Sequence, residues 1–275
     1  MDTPLAIVTR KAPAALLKPY ISEYVFRIME VPEGQSIKKS MPLRYVSSID
    51  FFLGDEFKTY DCNSGLQIPF SRCTVRGLRT FQKTRIVING HFVSFTIRFK
   101  PVGLYGLLGI PALHFCNEAI EGSSLSNHLF AEITEQLMAC TSSIDCCVAI
   151  AEPYMLQMAG NAYRNIHISA AVEQMARLIT AGNVPVSIAQ LQQQVCLSKR
   201  QLERNFVKEV GITPKLYSRM VRFSNALKHR RDHADTKWAS LAYEFDYADQ
   251  THLIKDFQQF LGVTPGGFCA EDFAF

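Results

Sequence analysis

The chain has 275 residues, 48% hydrophobic and 20% charged, which is enough apolar material for about two packed domains and excludes a disordered or collagen-like chain. No apolar run reaches the roughly 18 residues of a membrane span, and Pro, Arg and Lys interrupt the first twenty residues, so neither a transmembrane helix nor a secretory signal is expected and the chain is placed in the cytoplasm. The net charge of +4, from 29 basic and 25 acidic residues, points by itself to no polyanionic partner.

The first hundred residues carry strand signals. Runs at 20–29, 43–53 and 74–78 are rich in β-branched and aromatic residues. Residues 85–88 and 91–94 flank Asn89 and Gly90, the dipeptide of a type I′ hairpin turn. Val93, Phe95, Ile97 and Phe99 alternate with Ser94, Thr96, Arg98 and Lys100, which predicts one buried and one wetted strand face. Phe51, Phe95, Ile97 and Phe99 would serve either an ordinary sheet core or the wall of an apolar pocket.

After Pro101 the period becomes helical. Leu104, Leu107 and Leu108 share a face, and 125–140 and 146–159 read as helices. The polar stretch 160–167 (GNAYRNIH) reads as a linker, and helical patterning continues beyond it. The expected fold class is α+β: a β-rich N-terminal domain with trailing helices (1–160), a linker (161–168) and an all-α domain (169–275). The eight cysteines lack C-x-x-C spacing and are expected to be reduced thiols, with Cys146 and Cys147 packing in an apolar helix.

The last hundred residues repeat themselves. SKRQLERNFVKEVGITPKLY at 198–217 and DQTHLIKDFQQFLGVTPGGF at 249–268 align at an offset of 51, pairing Leu202 with Leu253, Phe206 with Phe257, Gly211 with Gly262 and Pro214 with Pro265. Each copy has the ingredients of a helix-turn-helix. In the first, a short apolar-striped helix at 187–195 leads to a break at Cys196 and Leu197. Ser198 is then a cap for a helix burying Leu202, Phe206 and Val210, which Gly211 and Pro214 end. In the second, 241–245 leads to a break at Asp246 and Tyr247, a cap at Asp249 and a helix ended by Gly262 and Pro265. A long helix over 214–231 joins them. Such a rigid joint suits two recognition helices on successive major-groove faces of one duplex.

At these residues the chain resembles the AraC/XylS family of bacterial transcription regulators, through LSKRQLERNF, GITPKLYSRMVRFSNAL and YADQTHLIKDFQQFLGVTPGGF. The resemblance implies a monomeric DNA-binding domain of seven helices with two helix-turn-helix units, and a sensor, dimerisation or regulatory domain before it. FTIRFKPVGLYGLLGIP is similar to the N-terminal domain of a less-studied branch, which implies no ligand. Positions that read bases in the family fall on Arg200, Glu203 and Arg204, and on Gln250, Thr251 and Lys255. Arg suits guanine O6 and N7, Glu suits cytosine N4, Gln suits adenine and Lys suits guanine. Ser198, Lys199 and Lys208 are assigned to phosphates. The sequence departs from the family at Gln192, where a small Ala is usual, and at Cys196 and Asp246, which replace the turn Gly.

Charge is unevenly spread. Residues 199–231 hold ten basic and two acidic residues, whereas 232–275 hold two basic and eight acidic. The first unit is therefore expected to supply most phosphate attraction; the acidic stretch reads either as ordinary surface acids or as a contact for protein, for example RNA polymerase. No nucleotide-binding, zinc-protease or nucleophile-elbow motif occurs, and His229 and His233 lack a third ligand nearby, so no catalytic residue, metal or cofactor is expected. The expected partners are double-stranded DNA and either a small effector bound by the N-terminal domain or a second copy of the chain, with no membrane. The alternative is an N-terminal domain that only dimerises or binds protein.

Overall fold

The computed structural model describes residues 6–125, 128–141, 143–182, 198–233 and 235–273. Ten strands make two antiparallel sheets: β1 (Ile7–Lys11), β2 (Ile21–Val31), β3 (Ile37–Ser40), β4 (Ser48–Phe52), β5 (Lys58–Asp61), β6 (Gln67–Ile68), β7 (Cys73–Arg76), β8 (Thr84–Ile88), β9 (Gly90–Phe99) and β10 (Ala119–Glu121). One sheet has the order β1-β2-β9-β4-β7-β10, the other β3-β8-β5-β6.

The alternation in β9 decides the layering. Val93, Phe95, Ile97 and Phe99 are at most 1% exposed and share a core with Phe51 and with the helices α1 (Gly103–Leu108), α2 (Gly122–Leu125), α3 (Leu129–Met138) and α4 (Ile144–Asn165). They are core residues and are not on the lining of the cavity that lies between the sheets. The other face is not wetted as expected. Ser94 and Thr96 are buried, as are Ser48, Asp50 and Thr74 on the same side of the sheet, because the second sheet covers them. Asn89 and Gly90 do not close a hairpin. Only Gly90 has positive φ (64°), and the chain there passes from β8 in one sheet to β9 in the other. Each strand pairs with an earlier one instead, Ile88 with Ile37 and Gly90 with Val31.

The polar stretch taken as a linker is helical through Asn165, leaving 166–169 as the non-helical connection. Cys140 and Cys146, expected to be reduced, are joined by a disulfide where α3 turns into α4; Cys62, Cys73, Cys116, Cys147 and Cys269 are free. No helix among the described residues is long and apolar enough to cross a membrane.

Beyond the connection lie α5 (Ala170–Ala181), α6 (Lys199–Val210), α7 (Pro214–Asp232), α8 (Trp238–Glu244) and α9 (Gln250–Leu261). The expected leading helix at 187–195, with Gln192, and the break at Cys196 and Leu197 lie outside the described residues. Val172, Leu202, Phe206, Met220, Phe223, Leu253 and Phe257 form one core, and Leu43, Leu78 and Val102 from the β-rich half are part of it. The two halves therefore meet through apolar contact. They are also tied by Leu43 N donating to Phe260 O at 3.2 Å and by a bridge between Ser40 and Phe273.

Candidate nucleic-acid interface

Local chemistry sets both recognition helices. Ser198 Oγ accepts from Gln201 N at 3.3 Å and Gln201 Oε1 accepts from Ser198 N at 3.2 Å, a reciprocal capping box that starts α6. Gly211 ends it at φ 104°, a left-handed conformation that favours glycine. Asp249 caps α9 by accepting from His252 N at 2.9 Å, and Gly262 ends it at φ 71°. Asp246, in the second turn, adopts φ 51°, so the residue that replaces the turn glycine does take the left-handed form.

Burying Leu202, Phe206 and Val210 turns Arg200, Glu203 and Arg204 to solvent, and burying Leu253 and Phe257 does the same for Gln250, Thr251 and Lys255. All six are exposed, and none makes a side-chain hydrogen bond or ion pair with another described residue. Lys199 is exposed as well. Ser198 is engaged in its cap, and the Lys208 ammonium lies over the Tyr105 ring, 5.2 Å from its centre. The Tyr105 side chain beside it holds Lys208 above its ordinary pKa.

α7 joins the helices as a braced strut. Phe206 meets Tyr217 at 5.7 Å between ring centres, and Phe223 meets Phe257 at 4.9 Å. Arg219 pairs with Asp256, itself 2% exposed, which also accepts from Tyr247 Oη at 3.2 Å. Arg222 donates to Asp246 O at 3.0 Å and stacks on Tyr247 at 4.1 Å, and Arg230 lies 4.9 Å from the centre of the Trp238 ring. Part of the basic run is thus spent inside the domain, which a count of charges along the sequence does not reveal. Buried Glu209 was also missed. Burial raises its pKa, and the Ser169 N–H, donating to it at 3.1 Å, partly offsets that. An acid two residues before a helix-ending glycine gives no sequence cue to burial.

A second candidate site lies between the sheets. A cavity of about 340 Å³ is lined by Phe52, Phe57 and Phe70 and by Arg44, Arg76 and Arg79, among others. Its arginines carried no signal in the sequence, since their convergence depends on how the sheets face each other. His229 and His233 stack with ring centres 4.5 Å apart, and His229 Nδ1 meets Glu244 at 3.3 Å. Among the described residues no three His, Cys, Asp or Glu side chains gather as a metal site.

Residues 191–270 match the helix-turn-helix domain family. No curated protein sequence matches the chain. Among solved structures, the chain is similar to ToxT from Vibrio cholerae O395, at 10% identity and TM-score 0.46, over 88% of this chain and 95% of that one. It is also similar to ToxT from the same strain bound to (E)-4-(8-methylnaphthalen-1-yl)but-3-enoic acid, at 10% identity and TM-score 0.46, over 96% and 97%. The AraC-like transcriptional activator CuxR matches at 11% identity and TM-score 0.30, over 80% and 86%. The repeated capped helices and the family match agree that residues 191–270 carry a helix-turn-helix domain of the AraC type, a kind of domain that binds DNA.

Proposed function

We propose that the chain is a sequence-specific regulator whose helices α6 and α9 enter adjacent major-groove segments of one duplex, under control of a small effector held by the β-rich half. The observation that carries the first part is the exposure of Arg200, Glu203, Arg204, Gln250, Thr251 and Lys255 on two capped helices braced by one strut. Arg200 and Arg204 suit guanines, Glu203 suits a cytosine and Gln250 an adenine, with Lys255 on a guanine, Thr251 on either kind of base edge and Ser198, Lys199 and Lys208 on phosphates. The non-helical connection at 166–169, which overlaps the linker expected at 161–168, is taken as the end of the sensor half. Selection of duplexes from a random pool by the full chain tests the reading. An enriched site with two half-sites about one helical turn apart is expected, and no enrichment under any condition would sink it.

A second reading, a β-rich half that only dimerises, is favoured by edge strand β1, where Ile7 and Val8 are 69% and 44% exposed. Sedimentation of wild type against Val8→Lys separates the two. A monomeric wild type removes this reading.

A further inference from the structure

The inter-sheet cavity has two kinds of lining. Phe52, Phe57 and Phe70 make an aromatic wall, with Phe52 and Phe57 ring centres 4.8 Å apart and Phe57 and Phe70 5.3 Å apart. Three guanidinium groups, those of Arg44, Arg76 and Arg79, line the same cavity, and the first two share one buried carboxylate, Asp50. Asp50 Oδ2 lies 3.5 Å from Arg44 and 3.4 Å from Arg76. Arg44 Nε is buried without a hydrogen-bond partner, and the Arg79 guanidinium makes no hydrogen bond or ion pair among the described residues. Of the other charges on the lining, Lys83 and Glu118 neutralise each other at 3.0 Å, and Glu121 is on the edge strand β10. Arg79 is half-buried; desolvation holds its pKa well below the usual arginine range, with Arg44 and Arg76 adding repulsion that Asp50 only partly offsets. A cation so placed gains from a further anion brought into the cavity.

The same two arginines form a structural joint. Arg44 N donates to Arg79 O at 2.9 Å and Arg79 N to Arg44 O at 2.8 Å, an isolated antiparallel bridge. With alternating side chains, Arg44 and Arg79 line the cavity while their neighbours Leu43 and Leu78 are buried in the core of the DNA-binding half. Tyr45 meets Tyr217 of α7 edge-on at 6.4 Å, and Leu43 N reaches the last turn of α9 at Phe260 O. One face of this bridge is therefore cavity floor and the other is the seat of the helix-turn-helix units.

We propose that the cavity binds an organic anion with an aromatic body, its carboxylate at Arg79 and Arg44, and that its presence reaches the DNA-binding half through the Arg44–Arg79 bridge. This rests on the effector reading above and adds the charge class of the ligand and the route of its signal. The anion supplies the missing counter-charge, and the phenyl wall takes the apolar body. Drawing two guanidinium groups toward one carboxylate moves the strand pair on which α7 and α9 are seated.

The test uses the full chain with phenylpropanoate, phenylbutanoate and phenylhexanoate and their primary amides, read by thermal shift and calorimetry. At least one acid is expected to raise the melting temperature while its amide does not. Arg79→Gln removes an unpartnered cation, so it should fold with an unchanged or higher melting temperature and bind that acid about tenfold or more weakly, the weight of one charge-assisted hydrogen bond. Amides that bind as well as acids, or an Arg79→Gln chain that binds the acid normally, overturn the anion assignment and leave the effector reading standing. If neither acids nor amides bind, both fall. For the route, the bound acid should change affinity for the selected duplex by about fivefold or more. Tyr45→Ala, or Leu78→Val should the first variant not fold, should keep acid binding and lose most of that change. An unchanged duplex affinity in wild type, or a full change in a folded variant, overturns the route.

Discussion

The Lys208 ammonium of the first recognition helix rests on the Tyr105 ring of α1, 5.2 Å from its centre, so a residue suited to a DNA phosphate is engaged by the β-rich half. Contacts of this kind are worth about 0.5–1 kcal/mol at an exposed site. Tyr105→Ala should therefore raise affinity for duplex DNA by about two- to fivefold and steepen the salt dependence by about one counterion. Anisotropy titrations across a range of salt concentrations measure both, and an unchanged slope would show that Lys208 contacts no phosphate.

The two recognition helices should divide their labour. Arg204→Ala is expected to cost about 1–3 kcal/mol and to relax sequence preference at one position. Lys255→Ala should lose less affinity and less salt slope, because α9 is followed by an acidic stretch whereas α6 begins a basic one. A larger loss for Lys255→Ala than for Arg204→Ala would reverse this ranking.

Asp256 should prove structural although it lies on a recognition helix. It is 2% exposed and is held by Arg219 and the Tyr247 hydroxyl. Asp256→Ala leaves Arg219 without its carboxylate, and breaking a buried pair costs about 3–5 kcal/mol. Urea unfolding should show a lowered midpoint.

Asp50 gives the β-rich half an acid-sensitive term. Burial pushes its carboxyl up, yet Arg76 and Arg44 outweigh that and hold it below its ordinary 3.8. The folded state thus binds this proton less readily than the unfolded chain. The stability Asp50 contributes is complete above 3.8 and is lost as pH falls through the lower folded value. Asp50→Asn should remove this part of the acid limb and, by stranding Arg44 and Arg76, lower stability by about 3–5 kcal/mol at neutral pH. Melting curves from acid to neutral pH would reveal it.

Gly211 should resist substitution on two counts. Its φ of 104° strains any other residue, and an added Cβ would lie 3.0 Å from Ala112 O of the β-rich half. Gly211→Ala is expected to destabilise by more than about 1 kcal/mol, seen as a lower melting temperature. Gly262→Ala meets Gln82 Oε1 at 2.5 Å, the end of a side chain that can turn away, so its cost should be smaller.

Local chemistry in the sequence was sufficient for the capped helices α6 and α9. Ser198 and Asp249 as caps, Gly211 and Gly262 as stops and the paired Leu-x-x-x-Phe stripes act within one or two turns of chain, so their geometry follows from neighbours along the sequence. The period of β9 was legible for the same reason. What lay opposite each face was not. Only the packing of one sheet on the other buried Ser94 and Thr96, carried Asn89 and Gly90 between sheets, set Arg44 and Arg76 on one carboxylate and brought Arg79 to the same cavity. Only contact between the halves occupied Lys208 and placed Leu43 and Leu78 in the core of the DNA-binding part. Caps and periodicity are short-range and leave their mark in sequence spacing, whereas the partner of a buried charge is chosen by segments tens of residues away, and no local pattern records that choice.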